Sequence, residues 1–435
     1  MSIAEVRLWG RTIAAVSLDP AQGCASFEYD PAFVASGIEI SPLSMPLRRP
    51  IYRFPELAAD SFRGLPGLLA DSLPDKFGNA LIDAWLASQG RTPDSFNAVE
   101  RLCYIGTRGM GALEFRPATG PAPLRAQTIE INSLVSLASE VLSQRQNFRS
   151  QLEDKVRSKA LAGLLSVGTS AGGARAKSVI AWNRASGEVR SGQLPADEGF
   201  EHWLLKFDGV SGNRDKELDD PQGFGAIEYA YSQMARAAGI TISECRLLEE
   251  NGRRHFMTRR FDRPDARSKL HMQSLGALAH FDFNQAGAYS YEQALLVIRQ
   301  LGLPMAALEQ QFRRMLFNVV ARNQDDHVKN IAFLMDKTGQ WSLAPAFDIT
   351  WSYNPAGAWT SRHQMSINGR RDDFTLADFK ACAASAMLKR GRATAILDDV
   401  LAAVRQWPTF AADAQLSAAW TQQIGATHRL RFAAE

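Results

Sequence analysis

Residues 317–352 read FNVVARNQDDHVKNIAFLMDKTGQWSLAPAFDITWS, and this stretch decides the fold of the rear half of the chain. Its apolar start belongs to a helical pattern over Met315–Arg322, which ends in a polar segment, Asn323–Asn330. A β-hairpin is predicted next, because two apolar runs, Ile331–Met335 and Trp341–Ala344, flank the turn residues DKTG. The pattern therefore predicts a helix, a polar loop and a hairpin in direct succession.

Three polar residues flank this hairpin: Asp325 and Asn330 precede it, and Asp348 follows its second strand. We expect the hairpin to bring all three to one edge. Phosphoryl transfer needs one carboxylate to orient the acceptor hydroxyl and take its proton. It also needs an amide oxygen and a second carboxylate for Mg²⁺, which prefers oxygen ligands. The alternative is a capped helix end followed by solvated carboxylates in turns.

Two hydrolytic chemistries fit the same residues less well. A metal-dependent hydrolase of the His-Asp type is disfavoured because Asp326 precedes His327 and no other histidine pair has ligand spacing. A serine hydrolase is suggested only by the segment Gly168–Gly172, in which Ser170 stands between two spaced glycines. That loop is predicted to join two strands and lacks the helix that a nucleophile elbow requires.

The segment GTSAGGARAK, residues 168–177, has the composition of a loop that cradles phosphate. Glycines such as Gly172 and Gly173 let backbone N–H groups approach oxyanions, and Lys177 adds a positive charge. The segment matches neither the P-loop nor the dinucleotide-binding pattern. A plain turn between strands and a phosphate site both remain open.

A lysine, a glutamate and a basic turn follow this loop along the chain. Lys206 stands in an apolar strand-like run, HWLLKF, and is either an outward edge residue or a lysine that reaches phosphates. Glu228 lies in a predicted helix, 221–238, where it could pair with that lysine. A strand over 254–261 then leads into Asp262, where a hinge between two lobes or a solvated basic loop is expected.

Composition narrows the class of protein. The 435 residues include 49 Lys+Arg and 46 Asp+Glu, and the net charge of +3 argues against a general nucleic-acid binder. The four cysteines are far apart, which fits a reducing cytosol, and no apolar run is long enough to span a bilayer. The sequence therefore predicts a cytoplasmic protein that has no contact with membranes.

The order of these parts resembles the HipA family, serine/threonine kinase toxins of bacterial toxin–antitoxin modules. The loop Asp325–Asn330 is also similar to the catalytic loop of phosphatidylinositol kinases, whose fold the family shares. The resemblance implies an α+β bilobal kinase fold with a mixed α/β N-terminal lobe and a mostly helical C-terminal lobe. An extra β-rich subdomain would occupy 1–115, the N-terminal lobe 116–263 and the C-terminal lobe 264–435.

The resemblance also implies roles for particular residues. Asp325 would be the catalytic base with Lys329 beside it, and Asn330 and Asp348 would hold Mg²⁺. Ser170 would be a self-inactivating phosphorylation site, although Thr169 is a neighbouring hydroxyl. The nucleotide would contact residues of the loop, the strand lysine, its glutamate and the hinge: Gly172, Gly173, Lys177, Lys206, Glu228, Phe261 and Asp262.

The activity implied is that of an ATP- and Mg²⁺-dependent protein kinase that arrests growth. Its target would be a translation component such as an aminoacyl-tRNA synthetase. Its partner would be a HipB-like helix-turn-helix antitoxin, through which it would meet operator DNA. Two alternatives stay open: a catalytically silent corepressor with a kinase fold, and a small-molecule kinase of the same fold.

Overall fold

The computed structural model describes residues 1–19, 21–121, 175–193, 197–210 and 222–434, with 131, 134–136, 138 and 139 in between. Three predicted site residues, Ser170, Gly172 and Gly173, lie outside the described residues, as does most of a helix predicted over 129–165. Within the described part of the chain, no helix is long and apolar enough to cross a membrane.

The N-terminal domain is an antiparallel sheet covered by short helices. Its strand order is β3-β2-β1-β4, and buried side chains alternate along the strands so that one face builds a core. The strands are β1 Ser2–Leu8, β2 Arg11–Leu18, β3 Ala25–Tyr29 and β4 Leu113–Arg116. The helices are α1 Pro31–Val34, α2 Ala59–Phe62, α3 Gly67–Ala70, α4 Lys76–Ser88 and α5 Ala98–Ile105, with a 3₁₀ turn at Pro93–Ser95.

A second antiparallel sheet carries the strand lysines. Its order is β6-β5-β7-β9-β8, and the pairing of β5 with β7 places Lys177 directly opposite Lys206. The strands are β5 Lys177–Asn183, β6 Val189–Ser191, β7 Phe200–Lys206, β8 Cys245–Glu250 and β9 Arg253–Arg259. Helix α6, Phe224–Ala237, packs on this sheet at Gly225, where a Cβ would overlap the carbonyl oxygen of Arg254.

The rear part of the chain is mostly helical and contains the predicted hairpin. The strands β11 Ala332–Met335 and β12 Trp341–Leu343 pair antiparallel, after a 3₁₀ turn at Val328–Asn330. The hairpin is part of a larger sheet, because β10, His271–Ser274, adds a third strand beside β11. The helices are α7 Leu275–Ala279, α8 Tyr291–Gln300, α9 Met305–Val320, α10 Leu376–Ser385, α11 Arg392–Val404, α12 Trp407–Asp413 and α13 Ala418–Gly425.

The N-terminal domain is bonded to the rear part by buried polar contacts. The carboxylate of Asp71 accepts hydrogen bonds from the backbone N–H and the hydroxyl of Ser274, at 2.7 and 2.9 Å. The indole Nε1 of Trp341 donates to the carbonyl of Glu39 at 3.1 Å, and Met335 belongs to the core of the N-terminal domain. The architecture is mixed α+β, as predicted, and one side chain of β11 lies in the core of the N-terminal domain.

Candidate active site

Lys206, at the end of β7, contacts a glutamate of helix α6 and an aspartate that follows the hairpin. Its ammonium group donates to Glu228 Oε1 at 2.6 Å and is in direct contact with Asp348 Oδ1. Glu228 also pairs with Arg175, 3.3 Å away. Burial would lower the pKa of Lys206, but attraction by Asp348 and Glu228 raises it above its ordinary value. The lysine is therefore charged, and the ion pair predicted between strand and helix is present.

Asp348 follows the hairpin in a left-handed backbone conformation, with φ 56°. Aspartate tolerates this conformation better than bulky residues, since its short side chain can bond locally. Burial would raise the pKa of Asp348, but Lys206 and then Lys177 outweigh burial and hold it well below its usual range. The second predicted cation ligand is therefore an ionised carboxylate that faces two lysines.

Asp325 lies on the polar loop between α9 and the hairpin. Its Oδ1 accepts a hydrogen bond from the indole of Trp359 at 2.7 Å and lies 3.7 Å from Nε2 of His327. Desolvation raises the pKa of Asp325, opposed by His327 and Trp359 and reinforced by the charges of Asp348 and Asp326. The predicted base thus sits in a negative environment close to the predicted cation ligand.

The rest of the loop is shaped by its own backbone. The amide Nδ2 of Asn330 donates to the carbonyl oxygen of Asp325 at 2.8 Å, which leaves the amide oxygen as the atom suited to a cation. Lys329, predicted as a catalytic residue, places its ammonium 4.5 Å from the ring centroid of Phe283. The hairpin therefore brings Asp325, Asn330 and Asp348 to one region, as their order in the sequence suggested.

Asp326 anchors this loop, and sequence reasoning assigned it no role. It is fully buried, and its carboxylate accepts from Tyr291 Oη at 2.7 Å and from the backbone N–H of Gln364 at 2.8 Å. His363 Nδ1 lies 2.8 Å from the same carboxylate, and its other nitrogen meets Arg429 at 3.1 Å. Two adjacent aspartates look alike in a sequence, and only the tertiary fold separates the buried anchor from the candidate base.

Asp75 is a second residue that sequence reasoning missed. It precedes α4 in the N-terminal domain and lies 3.3 Å from the ammonium of Lys177, with both side chains at most 3% exposed. No local motif joins these two residues, which are 102 positions apart in the chain. The only signal in the sequence is an aspartate at a helix N-cap position, which is common in any protein.

The predicted hinge residue Asp262 is fully buried in a cluster of cations. Its carboxylate accepts from Arg260 at 2.6 and 2.9 Å, from Arg263 at 2.7 Å and from the backbone N–H of Gly111 at 2.7 Å. Phe261 packs against the ring of Phe347, with 5.8 Å between centroids. Asp262 joins the hinge to the N-terminal domain, and nucleotide contact at this position stays a prediction.

The donor set fits a nucleotide with a divalent cation. Burial raises the pKa of Asp325, and the charges of Asp348 and Asp326 add to this shift, so a cation beside Asp325 would stabilise its ionised form. Among the residues that the structure describes, no group of three His, Cys, Asp or Glu could hold a metal by itself. Mg²⁺ commonly takes one or two carboxylates together with substrate phosphates, and Lys177 and Lys206 lie where phosphates would complete such a site.

Comparison with solved structures supports the fold. The chain aligns with a chain of the Shewanella oneidensis MR-1 complex of HipA, HipB and operator DNA. That match has a TM-score of 0.66 and 16% identity, and it covers 97% of this chain and 96% of the other. The Helicobacter pylori proinflammatory kinase CtkA matches over 52% of this chain and 84% of its own, with a TM-score of 0.34 and 12% identity.

Comparison with curated sequences gives a shorter match. A Haemophilus influenzae protein described as a candidate kinase is 28% identical over 135 residues, which are 28% of this chain and 39% of that protein. The chain therefore aligns with well under half of the length of this relative.

Family models cover most of the chain. The model of the HipA N-terminal domain matches residues 4–116, and that of the HipA-like C-terminal domain matches residues 169–407. The predicted boundary at 263 falls inside the second match, so the division into three domains stays a prediction. Since the second model alone spans more than half of the chain, the chain belongs to the HipA family.

Proposed function

We propose that this chain is an ATP- and Mg²⁺-dependent serine/threonine protein kinase, acting in the cytoplasm as the toxin of a toxin–antitoxin module. The observation that carries the proposal is the position of Lys206, which bonds Glu228 and Asp348 at once. Burial raises the pKa of Asp325 and the charge of Asp348 adds to this shift, which supports a base near the cation ligand that Lys206 contacts. Membership of the HipA family supports the same activity.

In this proposal each side chain has a separate task. Asp325 accepts the proton of the acceptor hydroxyl. The hydroxyl oxygen forms a bond to the γ-phosphorus, while the bond between the γ-phosphorus and the bridging oxygen, which leaves with ADP, breaks. Asn330 and Asp348 would hold the cation, which would supply positive charge beside the phosphates. Lys206, fixed by Glu228, holds the phosphates in line for attack.

The experiment measures the rate of phosphate transfer from γ-labelled ATP in the presence of Mg²⁺. The purified wild-type chain is compared with the Asp325→Asn variant. Loss of a general base costs about 10²–10⁴-fold in rate, and we expect at least a hundredfold loss. Asp373→Asn removes an equal charge at an exposed position of the same region and should transfer phosphate at the wild-type rate. Transfer that survives Asp325→Asn would contradict the assignment.

A wild-type chain that transfers no phosphate to any protein would refute the kinase proposal itself. Label that appears only on a small molecule would instead indicate a small-molecule kinase. Growth arrest that persists without transfer would indicate a silent corepressor. Growth arrest and phosphate transfer are therefore measured in parallel for the wild type and Asp325→Asn. Together they distinguish a protein kinase from a small-molecule kinase and from a silent corepressor.

Self-phosphorylation is proposed for Ser170, which lies outside the described residues. A phosphate there would add nearly two negative charges to a loop whose last residue, Lys177, faces Asp348. Phosphopeptide mapping after incubation with ATP should place the phosphate on Ser170, and Ser170→Ala should prolong activity. Phosphate on Thr169 alone would move the assignment by one residue.

The proposed partners follow from the family. A small helix-turn-helix antitoxin would bind this chain and carry it to operator DNA, as the net charge of +3 argues against general nucleic-acid binding by the chain itself. The substrate would be a translation component such as an aminoacyl-tRNA synthetase. Co-purification with the antitoxin, and mobility of the pair with and without operator DNA, test the first point.

A further inference from the structure

The N-terminal domain places a carboxylate beside the lysine pair of the site. Asp75 is the N-cap of α4, and its Oδ1 accepts from the backbone N–H of Gly78 at 2.6 Å. Its second oxygen, Oδ2, lies 3.3 Å from Lys177 Nζ, within ion-pair distance. The cap thus fixes the carboxylate so that its second oxygen faces Lys177.

Lys177 lies at the phosphate end of the site because of strand register. It faces Lys206 across the β5–β7 pair, and cross-strand partners share one side of a sheet. Burial raises the pKa of Asp75 to about 6, and the charge of Lys177 opposes that shift. Lys177 therefore pairs with a carboxylate of the N-terminal domain and lies opposite the lysine that contacts the proposed cation ligand.

We propose that Asp75 is a positioning residue that holds the Lys177 ammonium group ready for the phosphates, so that the N-terminal domain completes the nucleotide site. This inference rests on the proposed function, since it takes ATP as the ligand. Without Asp75, Lys177 would interact more with Asp348, where it would compete with the cation. Lysine also has more rotamer freedom to lose than most side chains, and an anchor removes that cost before the nucleotide binds.

The experiment uses Asp75→Asn in the full chain. Asparagine is as good an N-cap as aspartate, so the bond to Gly78 and the fold of α4 are kept while the charge is removed. Asp83→Asn is the matched control, because Asp83 lies on the same helix and pairs with Arg101 rather than Lys177. Binding of Mg²⁺ with a non-hydrolysable ATP analogue is measured by calorimetry, with adenosine as the probe that lacks phosphates.

We expect the Kd of the ATP analogue to rise about tenfold in Asp75→Asn, the cost of ordering one long side chain. The Kd of adenosine should stay unchanged, as should both values in the control. In transfer assays the KM for ATP should rise by a similar factor, while kcat changes less than about threefold. A merely structural role would weaken adenosine binding too and would lower the melting temperature.

Two failures can be told apart. If the wild-type chain binds no Mg²⁺-nucleotide, the proposed function fails. If the wild type binds and Asp75→Asn binds the ATP analogue equally well, the kinase proposal stands and the role of Asp75 is overturned. Equal weakening for the ATP analogue and adenosine would also overturn it.

Discussion

At Lys206, two carboxylates from distant parts of the chain meet one ammonium group. Glu228 is almost fully buried, so Lys206→Met would leave a buried charge without its main partner. Breaking a buried pair costs about 3–5 kcal/mol of unfolding free energy, and we expect a loss of that size in urea denaturation.

The double variant Lys206→Met, Glu228→Gln should recover part of this stability but none of the phosphate transfer. Removing both partners eliminates the stranded charge, whereas the phosphate contact is still missing. Equal stability of the single and double variants would show that Glu228 is balanced by Arg175 alone.

Asp326 supports the neighbouring base without being expected to touch substrate. Burial would raise its pKa, but His363 and the hydrogen bonds lower it, so the carboxylate is ionised in the fold. Asp326→Asn weakens this network and should let the loop shift. We expect kcat to fall about tenfold to a hundredfold, with the KM for ATP unchanged, because small misplacements of a catalytic group are costly. A variant with wild-type kcat would show that Tyr291 and Gln364 alone hold the loop.

Short-range patterns in the sequence predicted the strand that carries Lys206 and the helix that carries Glu228. They also predicted the hairpin that is flanked by Asp325, Asn330 and Asp348. These patterns depend only on neighbours in the chain, and the structure contains the predicted hairpin and helix. Asp75 and the anchoring role of Asp326 could not be found this way. Their partners come from other parts of the chain, and one sequence does not record which parts meet.

Among the elements, α6 depends on a close approach to the sheet. A methyl group at Gly225 would overlap the Arg254 carbonyl oxygen and lie 3.0 Å from the backbone nitrogen of Phe256. Gly225→Ala should therefore push α6 away from β9, lower the unfolding free energy by about 1–3 kcal/mol and weaken nucleotide binding, since Glu228 moves with the helix.

Ala237→Ser, at the exposed end of the same helix, is the control and should match the wild type in both respects. If Gly225→Ala is destabilised but binds nucleotide normally, Lys206 keeps its position even when α6 is displaced from the sheet.

Element boundaries were less predictable than element types. The helix predicted from Met315 begins at Met305, since its first turns carry mixed polar residues that blur the apolar stripe. Strand β10 was missed because its four residues, His271–Ser274, have little strand propensity and are ordered by pairing with β11.

For the whole molecule, histidines set the response to acid. Burial is the largest cause that lowers the pKa of five imidazoles to about 4: His202, His255, His271, His280 and His428. An unfolded chain takes up these protons near pH 6.5, so it binds more protons than the folded chain between pH 6.5 and 4. Stability is therefore full above pH 6.5 and is lost as the pH falls toward 4.

We expect the unfolding free energy, measured from the midpoint of urea denaturation, to fall steadily from pH 7 to pH 5, by about 1–2 kcal/mol for each of these groups. Asp75 and Asp325 act in the opposite direction, because burial raises the pKa of Asp75 to about 6 and also raises the pKa of Asp325, but they are two groups against five. His255→Gln should reduce the slope of unfolding free energy against pH, because one fewer proton is taken up on unfolding. A midpoint that is constant between pH 7 and pH 5 would contradict the prediction.

The buried position of Met335 within the N-terminal domain also has a consequence for synthesis. The strands and helices of that domain, which end at Arg116, leave the ribosome first, but the side chain that completes their core comes from β11. At ordinary translation speeds the nascent domain waits roughly 10–45 s for this side chain. The apolar surface that Met335 will cover is exposed to chaperones and proteases for that interval. The core of the N-terminal domain is therefore completed only after the catalytic loop of the proposed toxin has been synthesised.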